Sequence, residues 1–449
     1  MKLSKLLWVA ERPDEGSRGL QPTVLGRRRP RRGATLEICI TLRCSLNRRS
    51  ATTLVALSNR GLKPTATVKA SLREDLIRVN RHPLKSRTPS SISTMTHLKL
   101  LLILFLASLA MPALADKVDD YLAAEMQGRH LPGLALAVIR NGKTIKTKGY
   151  GLANLELGVR VTPDTVFEIG SLTKQFTAAC VMMLVDEKKL GLDDPIGKHF
   201  DVPESWKPIT VRHLLTHTSG IKNYTGLPGF EFSRQLKAKD FIGKLSEHPL
   251  ASPPGSAFAY CNSGYNLLGF IIEKVTGESY WQFLSRRILR PLGMTSARSR
   301  DQKAIILNRA SGYEKEREQL FNRDSDLTDV FSAGALVSTV LDLAKWNAAL
   351  DSDKLLNRST REQLWTPVKL NNGQLSTYGF GWRVDDYKGK KNIGHSGSTA
   401  GFSASLQRFP DDKLAIIVLC NSGEQNIATI LARGVADVYF SKPAAGIGR

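Results

Sequence analysis

Two blocks of strand character stand near opposite ends of the chain and dictate how it closes. In the first, "GLALAVIR" (133–140) meets Asn141-Gly142 and returns as "TIKTKGYG". An apolar run, a turn dipeptide suited to positive φ and a second run predict a hairpin over Gly133 to Gly151. In the second, "FSASLQRF" alternates, Pro410-Asp411-Asp412 turns, and "LAIIVLCN" is apolar enough to be buried. Between them the period changes from 2 to 3.6. Val166–Ile169 reads as a short strand, and Gly170 leads into a helix carrying Leu172, Phe176, Ala179, Met183 and Leu184. Leu268, Ile271, Ile272 and Val275 share a face, with Gly277 as the stop. Thr339 and Asp342 are spaced as a capping box, with Asp in place of the usual Glu or Gln. A last helix from about Glu424 to Phe440 sets Ile427, Ile430, Leu431, Val435 and Val438 on one face. The expected fold is α/β (α+β). One antiparallel sheet, built from N- and C-terminal segments and flanked by helices, carries an inserted, mainly helical lobe over about 171–370.

Charge locates the start of this unit. The 449 residues carry a net +23, of which residues 1–94 supply +14, from 20 Lys and Arg against 6 Asp and Glu. That stretch has no sustained apolar period and cannot bury a core. Directly after it, from Met95, runs "MTHLKLLLILFLASLAMPALADK". Lys99 precedes an apolar stretch, and Ala113-Leu114-Ala115 precedes Asp116. This is the layout of a secretory signal peptide over 95–115, cleaved after Ala115. The apolar Leu100–Ala115 is 16 residues long, short of the roughly 20 that span a bilayer. Because such a signal opens a chain, translation is expected to begin at Met95, with 1–94 a non-native upstream extension or a disordered basic segment. A secreted or periplasmic domain over 116–445 is expected, with no stable membrane anchor after cleavage. No nucleic-acid fold or aromatic interleaving accompanies the basic residues, so nucleic acid is not an expected partner. Of the five cysteines, the expected mature chain keeps three, Cys180, Cys261 and Cys420, and this odd, scattered set does not make a disulfide framework.

Three short motifs carry chemistry. In "EIGSLTKQF", Ser171 and Lys174 lie one helical turn apart. A serine alcohol becomes a nucleophile when a nearby base takes its proton. A lysine serves as that base once burial or a helix N-terminus lowers its pKa. Taken alone, the pair reads more simply as a helix N-cap and a solvated lysine. The same spacing at Ser219 and Lys222 contains Gly220 and reads as a loop. In "GSAFAYCNSGY", Tyr260 and Asn262 stand two apart. In an extended loop they point the same way, with Cys261 pointing away. Their alternative is a buried tyrosine and an asparagine in a turn. In "GHSGS", Gly397 admits a close backbone, Ser396 offers a hydroxyl, and strand N–H groups can hold an oxyanion. His213 and His217 are spaced as on a zinc helix, but Leu214 replaces the glutamate and no third ligand is evident. No metal or cofactor is expected.

In this order and at these spacings, the three motifs resemble the penicillin-recognising serine hydrolases. That superfamily includes class C β-lactamases, D-alanyl-D-alanine carboxypeptidases and related esterases. The resemblance runs from about Val118 to Phe440 and includes "LLTHTSGI", "PLGMTSA" and "SAGALVST". It implies Ser171 as acylated nucleophile, Lys174 as base, Tyr260 in proton transfer and Asn262 on the substrate amide. It further implies an oxyanion hole from the backbone N–H groups of Ser171 and Ser398, with His395 and Ser396 on the substrate's carboxylate side and Gly397 also in the substrate-binding set. The implied activity is acyl-enzyme hydrolysis of D-Ala-D-Ala-type peptides, amides, esters or β-lactams. A small-ester carboxylesterase and a penicillin-binding sensor or scaffold without turnover are the alternatives. Lysine is the commoner residue at position 395 in β-lactamases. A histidine near pKa 6.5 is charged part of the time, so activity on carboxylate-bearing substrates is expected to weaken as His395 loses its proton.

Overall fold

The computed structural model describes residues 117–228, 237–324, 326–327 and 330–441, with the strands Ile38–Cys44 and Ala51–Leu57. Those two strands form an antiparallel hairpin, Ile38 opposite Leu57, within a first unit spanning Met1–Thr88. The leader expected over 95–115 lies outside the described residues. Among the described residues no helix is long and apolar enough to cross a membrane.

The second unit is built on a seven-stranded antiparallel sheet. Its N-terminal strands are β1 (Gly133–Arg140), β2 (Lys143–Asn154) and β3 (Val159–Arg160). Its C-terminal strands are β4 (Arg383–Tyr387), β5 (Lys390–Thr399), β6 (Phe402–Phe409) and β7 (Leu414–Cys420). The order is β4-β5-β6-β7-β1-β2-β3, so the two ends of the domain meet where Ile416 of β7 faces Val138 of β1. The β1–β2 turn uses Asn141 and Gly142 at φ 52° and 72°, the positive values a two-residue hairpin requires.

Both central strands are buried along nearly their whole length because both faces of the sheet are covered. Leu134, Leu136 and Val138 of β1, with Ile416 and Val418 of β7, pack beneath two terminal helices. These are α1 (117–129), through Val118 and Leu122, and α5 (Ile427–Phe440), through Ile427, Leu431 and Val435. Ala135 and Ala137, with Ile417 and Leu419, point the other way into the larger core. There α4 (Val340–Ala349) packs on β1 and β7. Period-2 side chains thus serve two cores from one strand.

Inside the lobe, α2 (Thr173–Asp186) is buried all round from Thr173 to Leu184, not on one face. Its polar side chains therefore find partners internally, except that Gln175 Nε2 has none among the described residues. Gln175 Oε1 accepts from the Trp346 indole at 3.0 Å, and the Thr177 hydroxyl lies 2.7 Å from that of Tyr280. Helix α3 (Asn262–Thr276) ends as expected at Gly277, φ 73°. The stretch read as mainly helical also holds short strands, among them Leu336–Ser338, which pairs with Phe167–Glu168 just before that stretch. Two local readings are corrected. Thr339 accepts from Asp342 N, but the Asp342 carboxylate turns instead to the N–H groups of Ser296 and Ala297, so only half of the capping box forms. Ile430 is 42% exposed, and α5 begins at Ile427 with Asn426 in the left-handed region.

Candidate active site

The Ser171 turn is shaped by what presses against it. Gly170–Leu172 forms a 3-10 turn running into α2, with Gly170 at φ 51°. A Cβ on Gly170 would stand 2.7 Å from Ser398 N, and one on Gly397 would stand 1.9 Å from Ile169 O and 3.0 Å from Ser171 N. Only glycines allow the turn and β5 to approach this closely. The contact sets the backbone of Ser171 beside that of Ser398. The helix offers no side-chain cap at this end, so Ser171 is not acting as an N-cap.

Lys174 follows one turn later and is fully buried. Its Nζ donates to Ser171 Oγ at 3.1 Å, Asn262 Oδ1 at 2.7 Å and the Ala333 carbonyl at 2.8 Å. It also lies 4.9 Å from the ring centroid of Tyr260 and 5.5 Å from that of Tyr265. The ammonium is surrounded by neutral groups, and burial lowers its pKa from 10.5 to about 7. Three acceptors match the three protons of an ammonium. On losing one, the amine keeps Asn262 and Ala333 as acceptors and turns its lone pair to the Ser171 hydroxyl.

Tyr260 approaches from an extended segment that turns into α3 at Asn262. Its hydroxyl is buried and has no hydrogen-bond partner among the described residues. Burial raises its pKa, and Ser171 is the neighbour that most opposes the rise. Asn262 Nδ2 reaches toward Thr225 Oγ1 at 3.4 Å, while Cys261 Sγ points away to Ile221 O at 3.3 Å.

The strand carrying "GHSGS" supplies an open edge. β5 pairs with β6 through Thr399 opposite Phe402, but with β4 only as far as Gly394 opposite Arg383. Beyond Gly394 the β4-side edge of β5 has no strand partner among the described residues. Ser396 is half-buried and Ser398 exposed on this stretch.

His395 differs from expectation. It is 2% exposed, its Nδ1 lies 2.5 Å from the Ser396 carbonyl, and its Nε2 lies 2.8 Å from the Tyr378 hydroxyl. A carbonyl only accepts, so Nδ1 carries the proton and Nε2 accepts from Tyr378. Burial, then the Lys174 charge, lowers its pKa to about 3. The ring is neutral across the ordinary pH range and supplies no charge to a substrate, contrary to the half-charged histidine expected from sequence.

Ser171, Lys174, Tyr260 and Asn262 are thus gathered around one nitrogen, with the backbone of Gly397 and Ser398 against the turn. Ser219 and Lys222 stay in a loop. In His213 and His217 each Nδ1 accepts a backbone N–H, from Thr210 and Cys261 respectively. The sequence reading missed the Ala333 carbonyl, Tyr378 and Arg383. Arg383 is exposed, with its guanidinium 6.0 Å from the ring centroids of both Tyr260 and Tyr378.

The family model described as Beta-lactamase matches residues 118–439. Penicillin-binding protein 4* of Bacillus subtilis is 28% identical over 336 residues, covering 69% of this chain and 73% of its own length. Protein flp of Staphylococcus aureus is 28% identical over 329 residues, 70% of this chain, and the chain spans only 65% of that relative's length. Among solved structures, an octameric penicillin-binding protein homologue from Pyrococcus abyssi superposes with a TM-score of 0.64 at 30% identity, covering 73% of this chain and 78% of that one. A D-amino acid amidase from Ochrobactrum anthropi does so with 0.62 at 26%, covering 73% and 96%. The family match covers the whole seven-stranded sheet and every residue gathered around Lys174, and on that ground this chain belongs to the Beta-lactamase family, a serine-hydrolase-type superfamily.

Proposed function

We propose that the chain is a secreted or periplasmic serine hydrolase that works through an acyl-enzyme on D-Ala-D-Ala-type peptides and related amides, with esters and β-lactams as further substrates. The observation that carries the reading is Lys174, buried without a counter-ion among the described residues and 3.1 Å from Ser171 Oγ. A buried amine with a pKa near 7 is a base at neutral pH. It takes the Ser171 proton as the oxygen attacks the substrate carbonyl. The N–H groups of Ser171 and Ser398 stabilise the oxyanion. The Lys174 ammonium returns that proton through the Tyr260 hydroxyl to the departing nitrogen or oxygen, and water, giving its proton to the neutral Lys174, then releases the acyl group.

The open edge of β5 suits an extended peptide laid beside it as an added strand. Arg383, across from Gly394 at the end of that edge, carries the exposed cation that His395 lacks. It is the group we assign to a substrate carboxylate. The structural likeness to a D-amino acid amidase favours amide over ester substrates.

The test is covalent labelling. A fluorophosphonate or labelled penicillin should tag wild type and leave Ser171→Ala blank, while intact-mass measurement with D-Ala-D-Ala peptides, nitrocefin and p-nitrophenyl esters identifies the substrates turned over. Equal labelling of the two proteins would refute the nucleophile. A tag that forms and never turns over on any substrate would make the protein a sensor.

A further inference from the structure

We propose that His217 is a positioning residue that fixes Tyr260, holding the chain on both sides of it; this rests on the reading of Tyr260 as a proton-transfer group. The backbone carbonyl of His217 accepts from Ala259 N at 2.9 Å, and its ring Nδ1 accepts from Cys261 N at 3.0 Å. The main-chain N–H groups of the residues on either side of Tyr260 are therefore tied to one residue, one to its main chain and one to its side chain.

The ring itself lies against the phenol it positions. The centroids of His217 and Tyr260 are 4.4 Å apart with the planes tilted by 40°, and Tyr378 stands edge-on to the same imidazole at 4.7 Å. Tyr378 in turn donates to His395, so Tyr260 is boxed by aromatic groups that are themselves fixed. His217 is 2% exposed, and its Nε2 has no hydrogen-bond partner among the described residues. Because Nδ1 accepts, the proton of the neutral ring sits on Nε2, buried among aromatic rings. An unsatisfied buried donor costs stability. A group retained at that cost marks a position where the other nitrogen is needed.

The backbone limits what can stand here. His217 has φ 59°, a left-handed value that few side-chain-bearing residues adopt, though histidine and asparagine are among those enriched there. Position 217 thus requires tolerance of that conformation together with an acceptor directed at Cys261 N. Asparagine meets both requirements, glycine only the first, and leucine fills space without an acceptor.

The experiment compares His217→Gly and His217→Asn with wild type in fluorophosphonate labelling and in kcat and KM, at a temperature well below all their melting points. Misplacing a catalytic group by about 1 Å can cost on the order of 10²-fold. His217→Gly should lose about tenfold to a hundredfold in labelling rate and kcat with KM little changed, and His217→Asn should recover most of it. In a Tyr260→Phe background, His217→Gly should cost little more, since the group it positions is already gone. If His217→Gly does not fold, His217→Leu replaces it. Equal rates for the Gly, Asn and wild-type proteins, or a full additional loss in the Tyr260→Phe background, would overturn the inference alone. Labelling that survives Ser171→Ala would overturn it together with the mechanism it rests on.

Discussion

Lys174 Nζ meets Ser171 Oγ at 3.1 Å from a position wholly inside the protein. Its pKa, lowered by burial to about 7, sets how acylation depends on pH. Only the neutral amine takes a proton, so the acylation rate should rise through about pH 7 and level off above it. Lys174→Ala should lose on the order of 10⁴-fold, by analogy with deletion of a coupled catalytic group. Stability carries the same signature. Between about 7 and 10.5 the unfolded chain binds the lysine proton and the folded chain does not, so folding gains as pH rises through that window. Any stability advantage of Lys174→Met over wild type should therefore shrink from pH 7 to pH 10, as read by denaturant unfolding. A rate flat from pH 5.5 to 8.5 would rule out Lys174 as the base.

Gly397 is the second point on which the site depends. A Cβ there would meet the Ile169 carbonyl at 1.9 Å, backbone against backbone, with no flexible side chain to yield. Gly397→Ala should push β5 away from the Ser171 turn and separate the two N–H groups assigned to the oxyanion. Losing one such donor costs about 10²–10³-fold, so kcat should fall at least a hundredfold. Overpacking should also lower stability by about 1–3 kcal/mol. Thermal melting and labelling measured together check both effects.

What could be read beforehand follows from how local each feature is. The Asn141-Gly142 hairpin, the Gly277 stop and the Ser171–Lys174 spacing are short-range and were legible. So was the meeting of the terminal strands, because "LAIIVLCN" needs cover on both faces. Burial of Lys174 was only an option in the sequence. It depends on Asn262 and Ala333, brought in from helices far along the chain. The state of His395 was misread because Tyr378, which claims Nε2, sits seventeen residues earlier in a stretch with no strand or helix signal. Arg383 gave no signal at all. It reaches the site only through the pairing of β4 with β5.

Arg383 is consequently the residue on which discrimination between substrates should turn. Hydrogen bonds to a charged group contribute about 1.5–3 kcal/mol, which is roughly tenfold to a hundredfold in an equilibrium constant. Arg383→Ala should raise KM for a peptide with a free C-terminal carboxylate by about that factor. Hydrolysis of an uncharged p-nitrophenyl ester should change little. Arg383→Lys should recover part of the loss, since the charge returns without the planar fork. A similar KM penalty on both substrates would mean that Arg383 supports the aromatic cluster instead of the carboxylate.

His395 should then leave no trace in the pH dependence of substrate choice. With its pKa lowered to about 3, it stays neutral from pH 5 upward and has no proton to lose in the range where these substrates are assayed. The ratio of kcat/KM for the carboxylate-bearing peptide to that for the neutral ester should therefore be flat between pH 5.5 and 8, in wild type and in His395→Gln alike. His395→Gln should lower absolute rates on both substrates, because it breaks the bond to Tyr378 and loosens the start of the open β5 edge. A ratio that falls through pH 6.5 in wild type and not in His395→Gln would restore the charged histidine as the carboxylate's partner.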